Sequence, residues 1–305
     1  LVFLPIISKT KHPRATEAAT KYFLTQTTAS CLLMLTSVIN AWYTGTWAIT
    51  QLDNKTASAL MLLALTMKAG AAPTHFWLPE VMQGCTMTKA ILISTWQKIA
   101  PTILILSTYH HTPSKIAIIA GLLSTAYGGW GGINQTQLRK MMAYSSITNM
   151  GWTLLILSSQ PKVSMINLLL YMAIITPAML IMEQTSTKTL RDMTSMWSIS
   201  PILATITTLL LLSAAGLPPL TGFLPKLITL NELVTQNLTS LALVAATTTL
   251  LNLVFYLRTA YLTTLLTPPN STSTSMKWRQ QINTQAMMLA PFALTTMITL
   301  ATMTS

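Results

Sequence analysis

The sequence predicts an all-α protein, a polytopic transmembrane helical bundle. Of its 305 residues, 51% are hydrophobic and only 8% are charged, whereas about 25% of residues are charged in a typical soluble protein. So few charges cannot cover the surface of a soluble domain of this size. Long apolar stretches with short polar breaks recur from residue 22 to the C-terminus, which is the pattern of a membrane protein with several helical spans.

Nine stretches are apolar enough for transmembrane spans, so we predict a single integral membrane domain over residues 1–305. The stretch 201–235 is too long for one straight crossing, and we expect a break within it. LVFLPII at residues 1–7 is too short to span or to be a signal peptide. We expect it to be the end of a preceding helix and the chain to be an N-terminally truncated fragment. The predicted spans are 22–44, 57–78, 86–108, 115–133, 141–158, 163–183, 201–235, 240–265 and 286–304.

The loop charges support this span count. Alternating the loops across the membrane places eleven lysines and arginines on one side, called the basic side here, and three on the other. Such asymmetry is typical of short loops in membrane proteins. The cations form no single face and accompany no recognition motif, so we expect membrane lipids as partners and no nucleic acid. The basic side carries Lys9, Lys11, Arg14, Lys21, Lys89, Arg139, Lys140, Lys188, Arg191, Lys277 and Arg279, and the other side carries Lys55, Lys115 and Lys162.

Motifs for cofactors and metals are missing from the sequence. The two cysteines lack a paired spacing, and no Walker-type loop or G-x-G-x-x-G follows a strand. The adjacent His110 and His111 cannot face one ligand from a helix, so we predict no metal site. The glycines of GGWGG, residues 128–132, are interpreted as ending a helix and letting the chain turn.

Three lysines lie inside apolar spans: Lys68, Lys98 and Lys226. A charged lysine at mid-helix costs about 2.5–3.5 kcal/mol on insertion scales, so such a residue faces protein or water and often marks an ion path. A proline follows or precedes each lysine closely and removes a helical hydrogen bond. Because free carbonyls at membrane depth need protein or water, we predict hydrated, discontinuous helices near 68–73 and 216–226.

These lysines are the candidate catalytic groups of a proton path. Burial favours neutral lysine, which can accept a proton from one water chain and release it to another, and neighbouring lysines repel each other's charge. His75 and Glu232 are weaker candidates. His75 either extends the row of proton-carrying groups or is only a packing residue. Glu232 lies about one and a half helical turns beyond Lys226 and is either a partner of that lysine or uninvolved. The alternative for the lysines is a fixed counter-charge that snorkels or pairs with a neighbouring subunit.

Six segments resemble the family of NADH dehydrogenase subunit 2, mitochondrially encoded, antiporter-like membrane-arm subunits of respiratory complex I (NADH:ubiquinone oxidoreductase). The resemblance covers nearly the whole chain. The segments are HPRATEAATKYFLTQ (12–26), HFWLPEVMQG (75–84), WQKIAP (96–101), GGWGGINQTQLRKMMAYSSITNMGW (128–152), GLPPLTGFLPK (216–226) and LNLVFYLR (251–258).

The resemblance implies a multi-pass protein of the mitochondrial inner membrane that translocates protons while quinone is reduced elsewhere in the complex. The partners are other membrane-arm subunits of complex I. NADH, FMN, iron–sulfur clusters and ubiquinone are handled by other subunits, and this chain binds no cofactor. The central-axis lysines of the family correspond to Lys68, Lys98 and Lys226. A functional glutamate of the family lies on the helix before HPRATEAATKYF, where this chain retains only LVFLPII.

Two other functions fit the same residues. A stand-alone secondary cation/proton antiporter also uses broken helices and would exchange ions as a purified chain. A structural scaffold subunit would use its lysines only as counter-charges, and pumping would survive their replacement.

Overall fold

The computed structural model describes residues 3–8, 12–49, 52, 54–218 and 220–266, which form helices and no extended strand. The all-α prediction is confirmed over these residues, and the predicted span 286–304 lies outside them. The helices are α1 (Phe3–Ser8), α2 (Pro13–Thr44), α3 (Lys55–Ala69), α4 (Trp77–Gly84), α5 (Met87–Ser94), α6 (Trp96–Ser107), α7 (Ser114–Ile133), α8 (Leu138–Ile156), α9 (Pro161–Gln184), α10 (Leu190–Thr194), α11 (Met196–Ile199), α12 (Pro201–Ala215), α13 (Phe223–Thr235) and α14 (Thr239–Thr264).

Five helical stretches of the described chain are long and apolar enough to cross a membrane. They are Pro13–Thr44, Met87–Ser107, Ser114–Ile133, Pro161–Gln184 and Thr239–Thr264. The other predicted spans within the described residues correspond to α8, to α3 followed by α4, and to α12 followed by α13. The chain is therefore a multi-pass membrane protein, and the predicted spans 57–78 and 201–235 each correspond to a pair of helices.

Helix α2 begins at Pro13 rather than at residue 22, where the predicted span begins. Proline suits a first helical turn, since its missing N–H would have no helical partner there. The side chain of His12 caps this end by accepting a hydrogen bond from the N–H of Arg14 (3.4 Å). The first turns of α2 carry the charged residues Arg14, Glu17 and Lys21. These charges make the segment too polar to be predicted as part of a span, but they do not prevent it from being helical.

Glycines in the left-handed conformation terminate the first halves of the two helix pairs. Gly70 (φ 77°) follows α3 and Gly216 (φ 83°) follows α12, and glycine adopts this conformation without the steric cost of a Cβ. The predicted discontinuities near 68–73 and 216–226 are confirmed. A further interruption lies at Thr95 (φ −114°, ψ −72°), between α5 and α6.

The interpretation of GGWGG as the end of a helix is correct in that α7 ends one residue after it, and wrong in that the glycines themselves are helical. Residues 128–132 lie within α7, which stays helical to Ile133. A Cβ on Gly128 would lie 2.3 Å from Cγ2 of Thr148 on α8, and one on Gly132 would lie 2.8 Å from the Phe255 ring on α14. These glycines therefore let two neighbouring helices approach α7 closely, which is a common use of small residues in membrane bundles.

Helix α8 occupies the centre of the bundle. It is buried along most of its length, although its first turn carries Arg139 and Lys140. It contacts α4, α5, α7, α9 and α13. A group on α8 can therefore reach elements of both halves of the chain, including α13, which carries Lys226.

Candidate functional site

Lys98 lies in the first turn of α6, immediately after the interruption at Thr95. The residue is 1% exposed. At a rise of about 1.5 Å per residue, Lys98 lies about 16 Å along the helix axis from Met87, the first residue of α5. Its Nζ donates a hydrogen bond to the carbonyl oxygen of Ser146 on α8 (2.7 Å). The same Nζ lies 5.4 Å from the ring centroid of Tyr171 on α9, within the range of a cation–π interaction.

Lys226 lies in the first turns of α13 and points back to the end of α12. Its Nζ is 2.6 Å from the carbonyl oxygen of Ala215 and 3.5 Å from that of Ala214. The last carbonyls of a helix lack helical partners and carry partial negative charge. The break after α12 thus provides the acceptors for a lysine that is 7% exposed.

Lys68 occupies the last turn of α3 and is only half-buried. Its ammonium has no hydrogen-bond or ion-pair partner within the described part of the chain. The carbonyls around it are used by other donors: the N–H of Ala71 bonds Thr66 (2.9 Å) and the Trp77 indole bonds Met67 (3.1 Å). Lys68 therefore differs from the other two lysines, because it is only partly buried and the carbonyl oxygens near it already accept hydrogen bonds from other groups.

His75 lies in the segment between α3 and α4 and is buried. Its ring stacks on Tyr127 of α7, with 5.5 Å between centroids and 27° between planes. Its Nδ1 is buried without a hydrogen-bond partner among the described residues. The structure records no contact between His75 and any of the three lysines.

Glu232 lies on α13, as Lys226 does, but not on the same side of that helix. Six residues rotate a helix by about 240°, so α13 does not bring the carboxylate to the ammonium. Glu232 is half-buried, and the ion pairs recorded for the described residues do not include it. The role of Glu232 as a partner of Lys226 therefore stays a prediction from the sequence, without a supporting contact between the two side chains.

Lysine–carboxylate pairing occurs at the basic side instead. Lys21 bridges Glu17 (2.5 Å) on its own helix and Glu80 (2.7 Å) on α4. These charges line a polar cavity of about 290 Å³ together with Arg14 and Lys140. The i, i+4 spacing of Glu17 and Lys21 is visible in the sequence, but the contact with Glu80 needs the fold.

The buried lysines sit in sites that suit both of their protonation states. No carboxylate of the described residues contacts Lys98 or Lys226; backbone carbonyl oxygens hold both. An ammonium donates to a carbonyl, and a neutral amine still donates to the same carbonyl. A carboxylate partner would instead favour the charged state. The arrangement can therefore take up and release a proton without losing its hydrogen bond.

Sequence reasoning missed the groups that surround Lys98. Ser146 is visible in the sequence as a polar residue in a span, and Tyr171 as the lone tyrosine of another. No spacing rule connects positions this far apart in the chain, since Ser146 is 48 residues from Lys98. Only the packing of α6, α8 and α9 brings them together.

Two family profiles match the chain. One is described as the transmembrane part of NADH:quinone oxidoreductases and Mrp antiporters and matches residues 1–252. The other is described as the C-terminus of NADH dehydrogenase subunit 2 and matches residues 253–304.

Solved structures similar to this chain share its fold. A chain of respiratory complex I from Thermus thermophilus with bound aureothin superposes with a TM-score of 0.83 and 22% identity, covering 97% of this chain and 69% of that one. A chain of the Mrp complex from Dietzia sp. DQ12-45-1b gives a TM-score of 0.75 and 20% identity, covering 85% and 53%.

Curated relatives are much closer in sequence. NADH-ubiquinone oxidoreductase chain 2 of Varanus melinus is 48% identical over 98% of this chain and 87% of its own length. The protein of the same name from Tetraodon nigroviridis is 45% identical over 98% and 86%. The fold, the profiles and these relatives agree, and the chain belongs to the NADH-ubiquinone oxidoreductase chain 2 family.

Proposed function

We propose that this chain, as a membrane-arm subunit of proton-translocating NADH:ubiquinone reductase, carries protons through Lys68, Lys98 and Lys226. One observation supports this proposal above the others: Lys98 and Lys226 are buried at interruptions of helices and bonded to carbonyl oxygens. A lysine used only as a counter-charge would need an anion, and none of the described carboxylates approaches either residue.

The helix interruptions supply what a proton carrier requires. At Lys226 the end of α12 provides acceptors with partial negative charge, which stabilises the ammonium without neutralising it. At Lys98 a single carbonyl oxygen and the face of an aromatic ring also stabilise the ammonium, but more weakly. Each lysine can then change its charge when the electrostatic environment changes, and the repulsion between protonated lysines couples one site to the next.

The half-buried Lys68 is proposed as the site at which the row meets another protein surface. Its ammonium is not engaged by the described residues, so a partner carboxylate can reach it. The family resemblance implies a glutamate for this role, on the helix preceding residue 12.

Redox chemistry is assigned to other subunits under this proposal. We place NADH, FMN, the iron–sulfur clusters and ubiquinone outside this chain, which contributes lysines and helix ends rather than a nucleotide fold. Its partners are the other membrane-arm subunits and the lipids of the mitochondrial inner membrane, with the basic side facing the matrix. Nucleic acid has no role.

Lys98→Ala tests the proposal in the assembled complex. We expect NADH:quinone turnover and coupled pumping to fall at least several-fold, because the substitution removes a proton carrier from mid-membrane. Native gels report assembly, and a pH-sensitive dye in reconstituted vesicles reports pumping. Lys115→Ala, at an exposed position in the first turn of α7, is the control and should pump like the parent. Full pumping by an assembled Lys98→Ala complex would favour the scaffold function.

A further inference from the structure

A polar cavity lies where α2, α4 and α8 meet near the basic side. Its volume is about 290 Å³, close to the lower limit of about 300 Å³ for pockets that bind small molecules. Charged and amide side chains dominate its lining, which favours a small charged ligand over an apolar one. The polar lining residues are Arg14, Glu17, Lys21, Glu80, Gln83 and Lys140.

The charges that line this cavity do not cancel. Lys21 is held by the carboxylates of Glu17 (2.5 Å) and Glu80 (2.7 Å). Arg14 attracts Glu17 only at longer range, and neither the Arg14 nor the Lys140 side chain forms an ion pair or a hydrogen bond within the described part of the chain. Three cations thus face two carboxylates. One excess positive charge remains, which the single negative charge of a phosphodiester would neutralise.

Packing between α2 and α4 fixes two walls of the cavity. A Cβ on Gly84 would lie 2.5 Å from the Cβ of Ala18 and 2.6 Å from the carbonyl oxygen of Arg14, so the two helices approach each other closely here. The ion pair between Lys21 and Glu80 joins the same two helices. The cavity is therefore formed by the chain itself, as binding pockets usually are before their ligand arrives.

The position of the cavity along its helices is that of the lipid headgroups. Lys21 and Lys140 each immediately precede a predicted span, and Glu80 lies two residues beyond the end of another. The headgroup layer begins just outside the hydrocarbon core. Beyond the cavity, Leu24 lies one turn further along α2 than Lys21, on the same face, and is 59% exposed. An apolar surface thus continues from the charged cavity into the membrane.

We infer that this cavity binds the phosphodiester headgroup of an anionic phospholipid. The Arg14 guanidinium and the Lys140 ammonium donate charge-assisted hydrogen bonds to the phosphate oxygens, and the acyl chains lie along the exposed apolar face of α2 that includes Leu24. Basic pockets between transmembrane helices commonly bind anionic headgroups in this way. The inference does not depend on proton carriage by the three lysines.

Photo-crosslinking in the assembled complex tests the site. The complex is reconstituted into phosphatidylcholine vesicles that contain a phosphatidylglycerol with a photoreactive group in its headgroup, and labelled peptides are mapped by mass spectrometry. We expect label on the first turns of α2 and α8 and on the end of α4. Arg14→Gln with Lys140→Gln should lower this labelling about ten-fold or more at unchanged assembly on native gels, since each basic residue near the membrane surface contributes to the binding of anionic lipid.

Two further double variants separate a binding site from general surface attraction. Arg14→Lys with Lys140→Arg keeps both charges and should be labelled like the parent. Lys188→Gln with Arg191→Gln removes two exposed cations that do not line the cavity. They lie near the same end of α8, because the N–H of Leu138 donates to the Lys188 carbonyl (3.1 Å), and this variant should also be labelled like the parent. Equal loss of label in the two glutamine variants would overturn the site.

Inorganic phosphate distinguishes a lipid from a free anion as the occupant. Because acyl chains add to the binding of a lipid, labelling should persist when inorganic phosphate replaces chloride at equal ionic strength. Loss of the label in phosphate, or a parent complex that is not labelled at the cavity, would overturn the lipid as the occupant. Pumping is not measured in this experiment, so its failure leaves the proposed function untouched.

Discussion

The three lysines share a sequence setting but differ in their surroundings. Lys98 is bonded to a carbonyl of another helix, Lys226 to the last carbonyls of the helix before it, and Lys68 to none of the described residues. Since burial and hydrogen bonding both act on the charged form, the three should hold a proton with different strength. When a neighbouring charge changes, a proton moves from the lysine that holds it more weakly to the one that holds it more strongly. This difference between the sites gives the path a direction.

Gly216→Ala tests whether the position of the Lys226 ammonium matters. A Cβ at Gly216 would lie 2.7 Å from Nζ and 2.9 Å from Cδ of Lys226, so the lysine side chain must shift from its present position against the carbonyl of Ala215. We expect pumping in vesicles to fall several-fold. The left-handed backbone itself costs a non-glycine residue about 1–3 kcal/mol.

Gly45→Ala is the control for that backbone cost. Gly45 has a similar φ of 72°, but its Cβ would meet nothing within 4 Å. Both variants carry the same kind of strain, and only Gly216→Ala displaces the lysine. Equal pumping by the two variants would show that the carbonyl bond to Lys226 is dispensable.

At the scale of helices, the sequence predicts where breaks occur better than what they do. Gly70 and Gly216 mark the breaks correctly because glycine before proline-containing segments favours a left-handed helix end. The sequence also predicts that prolines free nearby carbonyl groups. In the structure, Lys226 binds the end of α12 instead. The role of a glycine is equally hard to predict. GGWGG is compatible with a turn, yet in the structure its glycines lie in α7 and let α8 and α14 pack closely against it.

Gly128→Ala should weaken the contact between α7 and α8. The added methyl would lie 2.3 Å from Thr148 Cγ2 and 3.0 Å from its backbone nitrogen, and overpacking of this kind costs about 1–3 kcal/mol. We expect less assembled complex on native gels and a lower thermal midpoint. Thr148→Ser removes the methyl group that clashes, so the double variant should recover part of the loss. A Gly128→Ala complex as stable as the parent would contradict this packing.

At the scale of the whole molecule, hydropathy predicts the helical membrane class that the described residues show, whereas the span count and the orientation given by the loop charges stay predictions. Both signals depend on the lipid phase, because every residue within it meets the same apolar solvent regardless of how the helices pack. The candidate site is only partly predictable. Lys68, Lys98 and Lys226 stand out because charge is rare in a span, but their partners on α8, α9 and α12 are set by packing. That Lys68 is only partly buried while Lys98 is fully buried likewise cannot be predicted from their two similar sequence contexts.

Replacement of Lys68 measures most directly whether these lysines carry protons or only fixed charge. Because Lys68 is half-buried, arginine fits there with less crowding than at Lys98. Arginine keeps the charge but holds its proton, with a pKa of at least about 12, whereas methionine removes the charge at similar length. We predict that the assembled Lys68→Arg complex pumps several-fold more slowly than the parent, that Lys68→His retains more activity than Lys68→Arg, and that Lys68→Met is also impaired. Pumping by Lys68→Arg at nearly the parent rate, with Lys68→Met inactive, would contradict proton carriage and leave only the fixed charge.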